Sequence, residues 1–201
     1  PRRRRKGRVG LKHFFIINPN AGKKRNTKEI IARICDIFAG RTEPFEIALT
    51  ERAGHAADLA RQAAESGEPT RIYPIGGDGT VHEALAGCYG AEYVELAPFP
   101  NGTGNDFIKA FYGLSRDPIR ALCQQLDGQD VRVDCGRVNQ GAFLNVAGAG
   151  FDVEVLTQFV RFKDRGKGLK PYLYAVAAAL RHFKPLHCEV ELDGEKSTRC
   201  L

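Results

Sequence analysis

Two glycines, an aspartate, a third glycine and a threonine stand in a row at residues 76–80, and this pattern could hold phosphate. Glycine lets the backbone turn tightly and approach a ligand without a Cβ in the way. Amide groups in such a turn, and at the start of a following helix, point at anions. The carboxylate of Asp78 fits among phosphates if a metal ion or a substrate hydroxyl lies between them. The residues therefore indicate phosphoryl transfer from a nucleotide.

The same residues also have an ordinary structural explanation. Gly-Gly-Asp-Gly is a sequence that forms good turns. Thr80 and Glu83 have the Thr-x-x-Glu spacing of a capping box, which can open a helix with no ligand present. Taken by themselves, residues 76–83 leave both a phosphate loop and a simple turn open, and the rest of the chain has to decide between them.

Four short apolar runs, separated by segments with helical spacing, form the framework that would position this loop. Such runs are typical of strands buried in a sheet. Strands that alternate with helices predict an α/β fold with a mostly parallel sheet covered on both sides. Ligands on such a sheet bind at the carboxyl ends of its strands, where four polar loops would converge. The predicted strands are residues 13–18, 45–49, 71–75 and 94–97, and helical spacing is seen at 30–38, 56–63 and 119–126.

The pattern changes after residue 130. Val131, Val133 and Cys135 alternate with polar residues, which is the period of a half-exposed strand, and a hairpin partner follows. A helix is then entered through Pro171, and a last alternating strand lies at residues 188–192. These features predict a disordered basic arm at residues 1–10, an α/β nucleotide-binding domain at 11–130, and the incomplete beginning of a second, antiparallel β-rich domain at 131–201.

Charge and composition restrict the class of protein. The chain has 201 residues, of which 43% are hydrophobic and 27% charged, as is ordinary for a soluble globular protein. The sequence contains no apolar run near the ~20 residues that span a bilayer, no secretory signal pattern and no zinc-type cysteine spacing. We therefore expect a cytoplasmic protein. The net charge of +6 comes mostly from residues 2–8, and because no aromatic residues are interleaved there, no nucleic-acid partner is expected.

Further segments, taken together with residues 76–80, resemble a known family. FIINPNAGKK at 15–24 supplies a strand, an Asn-Pro turn, a glycine and two lysines. LTERAGHAADLA at 49–60 supplies a strand end and a helix, and PFPNGTGNDF at 98–107 supplies a second glycine–threonine turn. In this order and spacing they resemble the catalytic domain of the diacylglycerol kinase family, which includes bacterial lipid kinases and the sphingosine and ceramide kinases. The resemblance spans Lys12 to Asp193.

The resemblance implies an ATP- and Mg²⁺-dependent kinase that phosphorylates a hydroxyl of a membrane lipid such as diacylglycerol. It implies a fold of the type found in phosphofructokinases and NAD kinases. It assigns the metal to Asp78 and catalytic roles to the aspartates Asp78, Asp106 and Asp134. It assigns nucleotide contacts to Asn18, Pro19, Asn20, Ala21, Gly22, Thr50, Gly76, Gly77, Asp78, Gly79, Thr80, Glu83, Gly102 and Thr103. One departure is His82, where asparagine is frequent in the family.

Two other functions remain open at this point. NAD kinases share the GGDGT segment, although residues 18–24 and 101–107 argue against that activity. The second is a non-catalytic nucleotide- or lipid-binding module. It stays open because similar enzymes place further acidic residues, including the proposed base and structural metal ligands, in a part of the second domain that would lie beyond residue 201. The sequence does not identify the acceptor lipid.

A lipid kinase must reach a substrate that stays in a bilayer, so we expect peripheral docking on an anionic membrane surface. Three groups of basic residues are candidates, at 2–8, 23–25 and 161–170. Each exposed Lys or Arg near such a surface contributes ~1 kcal/mol, weakened by salt through screening. The explanation that these are ordinary solvated charges stays open, and so does a homodimer.

Overall fold

The computed structural model describes residues 10–21, 27–101, 106–109, 113–115, 117–162, 165–166 and 169–200. The chain divides into two compact units between Asn145 and Val146. The first unit is built on a parallel sheet with helices on both faces, and the second contains two helices and an antiparallel hairpin. The prediction of an α/β fold followed by antiparallel strands is confirmed.

The first unit follows the predicted alternation of strands and helices. All four strands predicted from apolar runs form, and their ends differ from the predicted ends by at most one residue. The described elements are β1 (Lys12–Ile17), α1 (Thr27–Phe38), β2 (Phe45–Leu49), α2 (His55–Glu65), β3 (Thr70–Gly76), α3 (Asp78–Cys88), β4 (Val94–Leu96), β5 (Phe99–Pro100), α4 (Asp106–Lys109), α5 (Pro118–Leu126), β6 (Gly136–Val138) and β7 (Gly141–Phe143).

Strand β1 lies between β2 and β3 in a sheet of order β2-β1-β3-β4, and β5 also pairs with β3. All of these pairings are parallel. Ile17 at the end of β1 is opposite Leu49 of β2 and Ile75 of β3, so the three strands end level. The loops that follow them therefore start from the same edge of the sheet.

Both faces of the sheet are buried, which explains why β1 is a continuous apolar run. Phe15 and Ile17 face a core formed with α1 and α5, whereas Phe14 and Ile16 face a core formed with α2 and α3. Each such side chain stabilises the fold by about 1.5–3 kcal/mol when fully buried. The sheet is therefore a rigid base for the loops at its edge.

Helices α2 and α3 pack closely because Gly87 has no side chain. A Cβ at Gly87 would lie 2.1 Å from the carbonyl oxygen of Ala57 and 2.8 Å from the Cβ of Ala60. Any larger residue would push the two helices apart. This close approach fixes the position of α3, the helix that follows the glycine loop.

The amino-terminal half of the sheet contains a set of polar side chains that contact one another. The Nδ1 atom of His13 lies 2.9 Å from the Tyr73 hydroxyl oxygen. Arg71 donates from Nε to Glu95 at 2.9 Å and from Nη2 to Asp130 at 2.8 Å. His13, Tyr73 and Arg71 are all buried. We call these five residues the amino-end cluster.

The predicted strand at residues 131–135 is wrong. This segment has no regular secondary structure, and the antiparallel pairing of β6 with β7 begins only at Gly136. Side-chain contacts hold the segment at both ends, because Asp130 pairs with Arg71 and the Cys135 thiol donates to the Phe143 carbonyl at 3.3 Å. Alternation along the chain did not reveal these long-range contacts.

The second unit contains α6 (Phe151–Phe162), α7 (Lys170–His182), β8 (His187–Leu192) and β9 (Glu195–Cys200). Val155 of α6 packs with Ala175 and Ala179 of α7. The sequence predicted α7 and β8 but neither α6 nor β9. Strand β9 pairs with β8 along its length, so one edge of β8 is covered within the chain. Within the described ranges, no helix has the length and apolar character required to cross a membrane.

Candidate nucleotide-binding and catalytic site

Backbone hydrogen bonds hold the carboxyl ends of β1, β2 and β3 side by side. The Asn18 amide donates to the Ile75 carbonyl at 2.9 Å, and the Thr50 amide donates to the Ile17 carbonyl at 2.8 Å. Thr50 itself is buried. This edge is where parallel α/β sheets bind ligands, and the structure brings three of the predicted loops together there.

The buried side chain of Thr80 organises the glycine loop. Its Oγ1 atom accepts a hydrogen bond from Asn18 Nδ2 at 3.3 Å, which joins the loops after β1 and β3. A Cβ at Gly76 would lie 2.2 Å from the same Oγ1 atom. Residue 76 is therefore a glycine because the backbone at the end of β3 lies against Thr80 and leaves no room for a Cβ.

Helix α3 begins at Asp78, directly after the loop, and the residue before it has no side chain that could cap the amino end. Gly77 is the N-cap residue in an extended conformation, and its carbonyl accepts from the Thr80 amide at 2.9 Å. Asp78 and Gly79 are exposed. Backbone amides at a helix start, together with the helix dipole, favour anions by about 0.3–1 kcal/mol for an exposed charge. The 11-residue helix thus presents backbone donors suited to phosphate oxygens.

Thr80 and Glu83 do not form the capping box that their spacing allowed. Thr80 lies inside α3 rather than at its cap. Glu83 Oε2 instead accepts a hydrogen bond from the Ala56 amide at 3.3 Å, in the first turn of α2. A carboxylate is favourable at the start of a helix because the dipole is positive there. Glu83 therefore joins α3 to α2, and its predicted contact with a nucleotide stays a prediction.

Two of the three predicted catalytic aspartates lie together. The Asp106 amide, at the start of α4, donates to Asp78 Oδ1 at 2.8 Å. The Asp106 carboxylate pairs with Lys109 Nζ at 2.7 Å, and both side chains are exposed. Asp134 is exposed in the irregular segment 131–135. In the part of the chain that the structure describes, no hydrogen bond or ion pair joins Asp134 to the other two.

Asn18 shapes the loop after β1. Its Oδ1 atom accepts from the Asn20 amide at 2.9 Å, and its carbonyl accepts from the Ala21 amide at 3.1 Å. Such a turn is common for asparagine, and Pro19 between them fixes its own φ angle. Asn20 is exposed at the site edge. The predicted contacts at Gly22, Gly102 and Thr103 lie outside the described residues.

Comparison with known proteins identifies the family that shares this loop arrangement. Residues 12–138 match the family described as "Diacylglycerol kinase catalytic domain". The match covers more than half of the chain and includes all the site residues named above. The chain belongs to the diacylglycerol kinase catalytic-domain family.

Individual members of the diacylglycerol kinase family are similar over most of the chain. It is 34% identical over 195 residues to the candidate lipid kinase YtlR of Bacillus subtilis strain 168, covering 89% of this chain and 63% of that protein. It is 29% identical over 182 residues to a diacylglycerol kinase of the same strain, covering 90% and 59%. A solved diacylglycerol kinase structure from Bacillus anthracis strain Sterne has a TM-score of 0.62 at 26% identity, covering 94% and 61%. The chain spans about three fifths of the length of these relatives.

The donors at this kinase-family site suit a magnesium ion that is held mainly by phosphate and water. The Asp78 carboxylate stands at the start of α3, and the backbone amide of Asp106, a second carboxylate residue, contacts it. Among the described residues, no group of three or more His, Cys, Asp or Glu side chains could hold a metal ion by itself. Mg²⁺ commonly binds one or two carboxylates and completes its octahedron with phosphate and water. The residues fit that ion and do not fit a closed structural zinc site.

Lys109 is a residue of this family site that sequence reasoning missed. Its ammonium group adds a positive charge next to Asp106, at the exposed edge of the site. The signal was available, because Asp106 and Lys109 have the i,i+3 spacing of a helical ion pair. The short helix α4 (Asp106–Lys109) brings the two side chains together.

Proposed function

We propose that the protein is an ATP-dependent lipid kinase that transfers the γ-phosphoryl group to a hydroxyl of a membrane lipid such as diacylglycerol. The lipid oxygen forms a bond to the γ-phosphorus, the bond from that phosphorus to the β,γ-bridging oxygen breaks, and ADP leaves. The hydroxyl proton passes to a carboxylate base or to water. Membership of the diacylglycerol kinase family supports kinase chemistry, and the names of the relatives support a lipid acceptor.

The observation that carries the proposal is the position of Asp78. Its exposed carboxylate stands at the first residue of α3, directly after Gly77, and one of its oxygens is fixed by the Asp106 amide. Catalysis of phosphoryl transfer depends on positioning and on electrostatic stabilisation rather than on covalent chemistry by the protein. Helix amides for phosphate oxygens and a fixed carboxylate beside them can supply both.

Within this proposal Asp78 would hold Mg²⁺, with the carboxylate of Asp106 nearby. A bound magnesium ion neutralises charge on the transferring phosphate groups. Asn18 and Thr80 keep the two loops in register through their hydrogen bond, so the amides of the glycine loop stay pointed at the nucleotide. Asp134 keeps its predicted catalytic role as a hypothesis.

Transfer of label from ATP tests the proposal against its alternatives. The protein is incubated with γ-labelled ATP and Mg²⁺, with lipid extract in mixed micelles in one reaction and NAD in another. We expect a labelled lipid phosphate and no labelled NADP. Label only in NADP would identify an NAD kinase. ATP binding by calorimetry without transfer to either acceptor would identify a nucleotide-binding module, and either outcome contradicts the proposal.

We also propose that the protein is cytoplasmic and docks peripherally on an anionic membrane surface. Arg161, Arg165 and Lys170 are exposed in the second unit, within the predicted basic group at 161–170. The guanidinium of Arg165 lies 5.1 Å from the ring centroid of Phe162, which keeps the charge near an aromatic side chain. The other two basic groups lie outside the described residues.

Vesicle co-sedimentation tests this docking. We expect binding to vesicles that contain anionic lipid, weaker binding as salt is added, and weaker binding for a variant carrying Arg161→Glu, Arg165→Glu and Lys170→Glu. Three basic residues at ~1 kcal/mol each would give reversible binding. Equal binding to neutral and anionic vesicles, or binding that salt does not change, rules out electrostatic docking.

A further inference from the structure

The two helices of the second unit expose large apolar side chains. Five of them are between 55% and 69% exposed: Leu156 and Val160 of α6, Leu169 at the start of α7, and Leu173 and Leu180 within α7. We call these five residues the apolar face. The packing between the two helices uses other side chains. Single exposed apolar residues are ordinary, but a cluster of this kind marks a surface that binds a partner or a membrane.

Helices α6 and α7 pack side by side in opposite directions. The ring centroid of Phe151, the first residue of α6, lies 5.4 Å from that of Phe183, directly after α7. The ring centroids of Phe162, the last residue of α6, and Tyr174, near the start of α7, lie 6.2 Å apart. The start of each helix is therefore beside the end of the other.

The exposed apolar residues of both helices lie on one side of this pair. Val155 of α6 and Ala175 of α7 are buried in the contact between the helices, and Val160 and Leu180 follow them five positions later. Five positions rotate a side chain by about 140° beyond one full turn, because a helix has 3.6 residues per turn. The same rotation on two antiparallel helices that face each other leads to the same side. The other three residues lie within about 40° of that direction, so the apolar face is continuous.

Positive charge borders the apolar face. Arg161, Lys170 and Arg181 each come directly after one of its residues in the sequence, which places them about 100° further round the same helix. All three are exposed. Residues 155–186 contain seven lysines and arginines and one acidic residue. This charge complements an anionic membrane surface, because long basic side chains can reach the head groups while the neighbouring apolar residues enter the acyl region. A second copy of the chain would instead bring the same positive charge to the contact.

We infer that the apolar face of α6 and α7 inserts into the boundary between head groups and acyl chains of an anionic bilayer. The inference rests on the peripheral docking proposed above and adds a hydrophobic contact to it. Basic residues alone hold a protein to a membrane only while salt does not screen them, whereas an inserted apolar face retains the protein when the charges are screened. The second unit then binds the surface in which the lipid acceptor lies.

A single introduced tryptophan tests insertion, because the chain contains no tryptophan. Leu180→Trp places the fluorophore on the apolar face, and Tyr174→Trp places it about 120° away on the same helix. Both positions are exposed. Anionic vesicles whose phospholipid carries bromine on the acyl chains should quench most of the emission of Leu180→Trp and little of that of Tyr174→Trp. Equal quenching of both variants, or of neither, overturns the inference.

The same variant distinguishes two other occupants of the apolar face. A second copy of the chain would leave Leu180→Trp unquenched by brominated lipid, and sedimentation equilibrium of the wild type would give the mass of a dimer. A segment of the protein outside these 201 residues would leave Leu180→Trp unquenched by lipid and protected from acrylamide before any lipid is added. Either result overturns the inference.

Binding in high salt provides the second readout. At about 1 M salt, where the Debye length is about 3 Å, the wild type should still co-sediment with anionic vesicles. A variant with Leu156→Ser, Leu173→Ser and Leu180→Ser should have a partition coefficient at least about tenfold lower, since two buried CH₂ groups already correspond to that factor. The control variant changes three exposed apolar residues outside the two helices: Val131→Ser, Val146→Ser and Leu192→Ser. Loss of all wild-type binding in high salt contradicts insertion, and so does equal binding by the two serine variants.

These outcomes are separate from those of the proposed kinase reaction. Label transfer in mixed micelles needs no bilayer, so a protein that phosphorylates lipid but fails both vesicle experiments keeps the proposed activity and contradicts the inference. A protein that inserts into vesicles but phosphorylates no lipid supports the inference and contradicts the proposed activity.

Discussion

The two ends of the parallel sheet use polar residues in opposite ways. At the amino end, His13 contacts Tyr73, and Arg71 is paired with two carboxylates, all between elements of the same unit. At the carboxyl end, the N-cap residue of α3 is Gly77, which has no capping side chain, and Asp78 is exposed. The polar groups of the amino-end cluster hydrogen-bond with one another inside the fold. The carboxyl end instead presents backbone donors and a carboxylate at the surface.

This difference shows that a shifted pKa does not by itself locate the site. Burial, with a smaller effect of the Arg71 charge, lowers the pKa of His13 to about 4. Burial also raises the pKa of Tyr73 to about 12. Both residues lie in the amino-end cluster, where the polar contacts are internal. A shifted pKa indicates a functional site only when the group also faces a ligand. The shifted pKa values of His13 and Tyr73 instead reflect their burial in the fold.

Breaking the amino-end cluster should have the largest effect on stability. Arg71→Met leaves the carboxylates of Glu95 and Asp130 without their cation, and we expect a loss of about 3–5 kcal/mol in the free energy of unfolding. Urea denaturation measures this. Under native conditions the ATP affinity of the variant should match that of the wild type, because Arg71 is at the far end of β3.

Arg61→Met is the matched control for that change. Arg61 also pairs with an aspartate, at 3.0 Å, but its side chain is 52% exposed against 10% for Arg71. An exposed pair of this kind is screened by water and contributes little to stability. Similar losses of unfolding free energy in Arg71→Met and Arg61→Met would show that burial does not explain how the amino-end cluster stabilises the fold.

The pH dependence of stability should report the burial of His13. Its pKa is about 4 in the folded protein and 6.5 ordinarily, so the unfolded chain takes up the proton first as pH falls. The free energy of unfolding should therefore decline between pH 6.5 and 4, by about 3 kcal/mol in total, with no further contribution from His13 below pH 4. His13→Asn keeps a hydrogen-bonding group but does not titrate. If urea denaturation gives the same pH profile for this variant and the wild type, His13 is not the responsible group.

At the carboxyl end, Gly76→Ala should disturb the loop. The new methyl group would overlap with Thr80, and we expect a loss of about 2 kcal/mol in stability together with weaker ATP binding. Gly40→Ala is the control, because a Cβ there meets no atom within 4 Å. Calorimetric titration with ATP and thermal unfolding measure the two effects. Unchanged ATP affinity in a folded Gly76→Ala protein would show that this loop does not contact the nucleotide.

The smallest effect is expected at Glu83, which joins α3 to α2. Its hydrogen bond to the Ala56 amide predicts that Glu83→Ala lowers stability by about 1 kcal/mol, while Glu83→Gln retains an acceptor oxygen and loses less. ATP affinity should change little in either variant. A large loss of ATP affinity in Glu83→Gln with normal stability would instead support the contact with nucleotide that the sequence predicted.

Local patterns in the sequence predicted the sheet and much of the site, because those features depend on neighbouring residues. Apolar runs defined the four main strands, and helical spacing defined α5, whose first turn Asp117 caps by accepting from the Arg120 amide. The failures depend on distant partners. Asp130, directly before segment 131–135, pairs with Arg71 far away along the chain, and Glu83 bonds to α2 rather than to its own helix.

The sequence predicted which residues would form the candidate site, but not how their atoms would be arranged. The spacing of the motifs placed Asn18, Asp78 and Asp106 in loops that would meet, and the structure joins them through Thr80 and through the Asp106 amide. No sequence pattern indicated which atoms would touch, because a loop conformation depends on the packing of the helices behind it. The bond from Asp106 to Asp78 connects two motifs that are separated by the whole of α3 and β4.

The central claim is that the carboxyl end of the sheet performs phosphoryl transfer through Asp78, and Asp78→Asn tests it most directly. Asparagine can keep the oxygen that accepts from the Asp106 amide, and it replaces the other, charged oxygen by a neutral NH2 group. We expect folding within about 0.5 kcal/mol of the wild type and a loss of lipid kinase turnover of about 100-fold or more, the scale of one transition-state electrostatic contact. Asp36→Asn, at an exposed residue of α1, controls for loss of one negative charge and should turn over normally. Near-normal turnover by a folded Asp78→Asn protein would contradict the claim and leave Asp78 as a helix-start residue.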